Sequence, residues 1–131
     1  MSESSVSITA LSLIERLDKI SDIIKMIKNN YHQKIKNYSK EHYPNIHNVN
    51  ILTTTTMDVI TKEAKYYIDE VLGKYEKLSK IAAQIDKNSS INIDYEVFIE
   101  LLDSNKSFDK FCQDIYTTFL ETLVIETIQS R

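Results

Sequence analysis

Residues 10–31 read ALSLIERLDKISDIIKMIKNNY, with apolar side chains at Ala10, Leu13, Leu17, Ile20, Ile24, Ile27 and Tyr31. The steps alternate between three and four over three heptads, the spacing that holds one face of a helix against a partner. Leu11, Ile14 and Ile23 widen the stripe beyond two seam positions, which predicts burial in a bundle rather than pairing in a two-stranded rod. Ser7 is the predicted N-cap, and the helix runs to about residue 30, with weaker patterning out to residue 41.

The rest of the chain agrees with a helical reading. One glycine and one proline in 131 residues leave little to punctuate strands and tight turns. The expected fold is therefore all-α: an antiparallel bundle of about four helices with a long coiled-coil-like hairpin, one domain over 1–131, and a flexible tail at 1–6. Residues 37–55, NYSKEHYPNIHNVNILTTT, hold the proline and many Asn, Ser and Thr residues that compete for helical hydrogen bonds, and are expected to form the main interhelical loop. Thr55 is then the N-cap of a second long helix with its seam at Met57, Ile60, Ala64, Tyr67, Val71, Tyr75, Leu78, Ala82 and Ile85. Successive steps of four at Tyr67, Val71 and Tyr75 act as a stutter. Gly73 lies inside this helix, either because a partner backbone approaches closely or as a simple weak point. A short helix over 95–103, capped by Asn92 or Asp94, is predicted next. The SNKS stretch at 104–107 is read as a chain reversal, with Ser107 capping a last helix whose apolar face is Phe108, Phe111, Cys112, Ile115, Phe119 and Leu123.

Composition excludes several classes of function. Net charge is −3, so no whole-protein basic footprint attracts a phosphate backbone or an anionic membrane. No apolar run approaches the roughly 20 residues that span a bilayer. The first residues carry acid where a signal peptide needs a basic flank, so an intracellular chain, cytoplasmic or nuclear, is expected. Cys112 is the single cysteine, which rules out an internal disulfide and suggests a small buried side chain.

The 86–98 segment, DKNSSINIDYEVF, resembles the calcium loop of EF-hand proteins. Asp86 and Asn88 fall in the first and third ligand slots, Ile93 in the central hydrophobic slot and Asp94 in the ninth. Ile91 replaces the glycine of the sharp turn, and Val97 the bidentate glutamate, so the resemblance implies a loop inert to calcium. The long second helix followed by a short helix entered through INIDY also looks like the middle and last helices of a histone fold, without that fold's short first helix.

Tyr31, Lys34, Lys36, Tyr38 and Lys40 open a basic and aromatic cluster that extends to His47, and are candidate contacts for an anionic partner. The three histidines, His32, His42 and His47, have no Cys or paired carboxylate to complete a metal shell. The sequence announces no catalytic residues, cofactor, metal or small-molecule substrate. The expected function is that of a non-enzymatic helical subunit or adaptor engaging a protein partner or a second copy, with Leu11, Ile14, Ile23 and Ile27 as the partner-binding residues. The alternatives are a calcium-inert, EF-hand-like regulator that grips a target helix, and nucleic-acid contact through the segment from Tyr31 to His47.

Overall fold

The computed structural model describes residues 5–129. Among them the order is β1 (Ser5–Thr9), α1 (Ala10–His42), α2 (His47–Lys74), α3 (Glu76–Gln84), β2 (Ser90–Asp94) and α4 (Tyr95–Gln129). The fold is predominantly all-α, a helical bundle, as the periodicity predicts. Its core is a bundle of α1, α2 and α4. Ser39 meets Thr53 and His32 meets Met57, so α2 runs antiparallel to α1. Arg16 lies over Phe98 and Tyr31 against Tyr116, so α4 runs parallel to α1. α3 packs on α1.

The seam of α1 is buried as its spacing predicts: Ala10, Leu13, Leu17, Ile20, Ile24, Ile27 and Tyr31 all lie in the core, and the face continues through Ile35 and Ser39. The cap is Thr9, whose Oγ1 accepts from the Ser12 amide at 3.1 Å, whereas Ser7 lies in β1. The first two amides of the helix are met from far along the chain. Ala10 N–H donates to the Ser89 carbonyl at 2.9 Å and Leu11 N–H to that of Lys87 at 3.1 Å. The loop before β2 thus closes the start of α1, filling donors that a helix leaves open at its first turn.

The two strands were not expected. Ser5 pairs with Asp94, Val6 with Ile93, Ser7 with Asn92, Ile8 with Ile91 and Thr9 with Ser90, in antiparallel register. Both segments alternate, so Val6, Ile8, Ile91 and Ile93 pack on the core while the serines and Asn92 face outward. A ribbon this short is not stable alone and depends on that packing. Of the predicted tail, Ser5 and Val6 belong to β1, and residues 1–4 lie outside the described residues.

Three further boundaries differ. The predicted 37–55 loop is only residues 43–46, where Asn45 takes φ 61°, a left-handed conformation that asparagine tolerates, just after Pro44. The threonines are helical because their hydroxyls find partners without leaving the helix. Thr53 donates to the Val49 carbonyl and Thr56 to that of Leu52, both at 2.7 Å. Ser39 then donates to Thr53 Oγ1 at 2.6 Å, tying α1 to α2. Thr55 is accordingly an interior residue of α2. The second helix is itself interrupted at Tyr75, where the stutter falls, giving α2 and α3. A Cβ built on Gly73 would meet nothing within 4 Å, so no partner backbone approaches, and the glycine is a weak point beside the break. Finally, the SNKS stretch does not reverse the chain. Leu101, Phe108, Cys112, Phe119 and Leu123, buried at steps of seven and four, belong to one continuous α4, and Ser107 lies within it.

Candidate functional site

Charge is unevenly spread along the bundle. Residues 23–57 carry five lysines against Glu41 alone, while the rest of the chain carries 18 acidic against 11 basic residues. The antiparallel pairing folds this segment into one end of the molecule, made from the second half of α1, the 43–46 turn and the start of α2. The part of α4 beside it, which runs parallel to α1, carries Asp109, Asp114 and Glu121 against Lys110, so the basic surface is confined to the α1–α2 side of that end. A cleft of about 530 Å³ opens there, lined by Lys36 and Lys40 from α1, Tyr43 and Asn45 from the turn, and Asn50 and Thr53 from α2.

The predicted anionic-partner residues divide at this end. Lys34, Lys36 and Lys40 are exposed. Tyr31 is only 7% exposed, its ring set edge-on to Tyr116 at 6.3 Å, with the Lys34 ammonium 4.9 Å from its centroid. Tyr38 is half-buried, 4.4 Å from the His42 ring and 6.5 Å from Tyr43. The Tyr31 and Tyr38 rings are therefore engaged with neighbouring rings, and of the five residues only the three lysines are exposed.

The residues expected to meet a partner through α1 are mostly absorbed inside. Ile27 is in the core, and Ile14 and Ile23 are half-buried against it; Leu11 remains 39% exposed. The surplus apolar width of α1 is taken up within this fold, because α4, α3 and the β1–β2 ribbon also pack on it.

Apolar surface is left over elsewhere. Ile51 and Val59, spaced eight apart with Thr55 between them, are 52% and 40% exposed on α2. Val124 and Ile125 are 54% and 55% exposed near the end of α4. Between the two helices runs a shallow groove of about 180 Å³, with Leu52, Val59, Ile115 and Phe119 among its lining and threonines on its rims. Leu52 and Thr122 share this groove, and Ile125 lies one turn beyond Thr122, so Ile51, Val59 and Ile125 extend the same strip, whereas Val124 projects from the opposite face of α4. The signal was present in the sequence as Ile51, Thr55 and Val59 at helical spacing, but it was hidden by reading 37–55 as a loop.

The remaining reactive groups are quiet. The Cys112 thiol is buried, and burial, reinforced by Asp109 and Glu63, pushes it up to about 12, which leaves it neutral and unreactive. His32 donates from Nε2 to the Met57 carbonyl at 3.0 Å, with Thr61 Oγ1 3.1 Å from the same nitrogen. Its burial, with Lys28 and Lys36 nearby, lowers its affinity for a proton. Lys74 pairs with Glu100 and holds that carboxyl below its ordinary range. Beside them the Tyr75 hydroxyl is buried without a hydrogen bond of ordinary geometry, and burial raises its pKa. Among the described residues no three His, Cys, Asp or Glu side chains gather as a metal site. In the EF-hand-like segment, Ile91 sits in extended backbone of β2, where a calcium loop makes its sharp turn. No described helix is long and apolar enough to cross a membrane. Comparison with protein-family models, with curated proteins and with solved structures finds no match to this chain.

Proposed function

We infer that this protein is a non-enzymatic helical subunit or adaptor that binds another protein within a larger intracellular assembly. The observation that carries this reading is the exposed apolar strip on α2 and α4, with Ile51, Val59 and Ile125 beside the groove floored by Phe119. Large apolar side chains left together on a surface are stabilised when a partner removes them from water. A groove between two helices suits an amphipathic helix that inserts side chains at three- and four-residue spacing. The strip also replaces Leu11, Ile14, Ile23 and Ile27 as the favoured contact surface, since packing within the chain covers most of those.

Native mass measurement of the tagged protein purified from its source cell tests the reading. The wild type is expected in an assembly of defined stoichiometry heavier than one chain, and Val59→Asp with Ile125→Asp is expected to release it as a folded monomer. A wild type that is monomeric both in the cell extract and at micromolar concentration in sedimentation would overturn the proposal.

A further inference from the structure

We propose that the cleft at the α1–α2 turn is a second binding site, one that takes an acidic peptide segment. Lys36 and Lys40, one helical turn apart on α1, both line it, and among the described residues neither is held in an ion pair. Facing them across the cleft, Asn45 and Asn50 carry side-chain amides, which donate and accept at once. Ammonium groups set among amides, with Gln33 and Asn37 beside them on α1, match a chain that offers carboxylates from its side chains and paired N–H and C=O groups from its backbone. The volume of about 530 Å³ is in the range that encloses a compact ligand or a short stretch of peptide. Among the described residues no Asp or Glu lines the cleft, so its two lysines meet an acidic partner without a carboxylate beside them to repel it.

A single-stranded nucleic acid fits less well. It needs free aromatic faces for its bases, and here Tyr31 is buried against Tyr116 while Tyr38 is packed on His42. The basic surface is also local, rather than a track that follows a backbone. The site is independent of the apolar strip, because Asn50 and Thr53 face α1 whereas Leu52 and Thr56 face α4. Val59→Asp is therefore expected to leave it intact.

Fluorescence anisotropy on the full chain tests the proposal, with a labelled poly-glutamate peptide and a labelled oligothymidylate of equal charge as probes. The peptide is expected to bind more tightly than the oligothymidylate, with an affinity that falls as salt rises. Lys36→Glu with Lys40→Glu is expected to weaken peptide binding about tenfold or more. Lys77→Glu with Lys87→Glu, the same change of net charge on exposed residues outside the basic segment, is expected to leave it within about twofold. Backbone amide resonances of Tyr43 and residues 45–50 are expected to shift on titration with the peptide. Equal losses in the two double variants, tighter binding of the oligothymidylate, or no peptide binding at millimolar concentration would each overturn the proposal.

Discussion

Truncating Phe119 to alanine probes how the bundle closes. Phe119 is 2% exposed on α4, with its ring stacked on Tyr116 at 6.4 Å and forming the floor of the groove against α2. Phe→Ala in a closed core costs about 3–5 kcal/mol, from lost transfer energy plus the cavity left behind. Here the new space opens into the groove, where water and the neighbouring Leu52 and Ile115 side chains can relax into it, so a cost near the lower bound, about 3 kcal/mol, is expected. For a chain of this length that corresponds to a fall of about 10 °C in Tm. In urea it corresponds to a midpoint about 1–2 M lower, at an m-value of about 2 kcal/mol/M. Equilibrium unfolding followed by circular dichroism measures both, with Ile51→Ala, which sits on the exposed rim, as a control expected to change stability by less than about 0.5 kcal/mol. A loss below about 1 kcal/mol for Phe119→Ala, with m unchanged, would show that α4 does not close the core against α2. The packing of α1, α2 and α4 would then have to be redrawn.

Gly73→Ala meets no neighbour and sits at an ordinary helical φ, so it is expected to stabilise the chain by about 0.5–1 kcal/mol, and a destabilisation would reveal a need for flexibility at the α2–α3 break. Asn45→Val puts a β-branched residue at φ 61° and is expected to cost about 1–2 kcal/mol, whereas Asn45→Gly is expected to cost less than half of that; equal effects would mean the turn adopts another conformation in solution. For His32, a folded-state pKa held below the unfolded value near 6.5 means that protons favour the unfolded chain. Its contribution is expected to be complete above about pH 6.5 and to decline as pH falls below that, and His32→Gln is expected to flatten the drop in stability between pH 7 and 5 relative to wild type. Identical pH profiles for the two proteins would contradict the burial that holds the His32 pKa down. Tyr75→Phe removes a buried hydroxyl that lacks a good partner and is expected to leave stability unchanged or raise it by up to about 1 kcal/mol, whereas a clear loss in the melting curve would show that the hydroxyl is bonded.

Much of the fold was legible in the sequence. The α1 seam and the phenylalanine-rich face of α4 could each be read because a helix repeats its face every three or four residues and a core demands apolar side chains there, whereas the stutter at Tyr67, Val71 and Tyr75 marked a change of register but not the break at Tyr75. The candidate sites were less legible. Lys36 and Lys40 could be named from local composition, but the Asn45 and Asn50 side of their cleft appears only once the turn is known to be four residues long. Ile51 and Val59 carried the right spacing and were obscured by the surrounding Asn and Thr residues, whose loop preference amounts to a few tenths of a kcal/mol per residue.

The sequence by itself determined that this chain is helical, which face of α1 is buried, and that Cys112, Phe108 and Phe119 belong to the core. These depend on periodicities within a single element, which neighbouring residues set. Only the tertiary structure decided where the helices end and what remains outside. The link from Ser39 to Thr53 joins residues on different helices, and the pairing of Ser5 with Asp94 joins positions far apart in the chain. The carbonyls of Lys87 and Ser89 serve as caps for the first turn of α1. Burial of Leu101 and Phe108 on one side of the bundle outweighs the turn preference of the SNKS stretch between them, since two large apolar side chains contribute several times the free energy of a local cap. The exposure of Ile51, Val59, Val124 and Ile125 follows in the same way: Ile51 and Val59 lie outside because α1 and α4 cover the other side of α2, and Val124 and Ile125 because α1 and α2 cover the other side of α4.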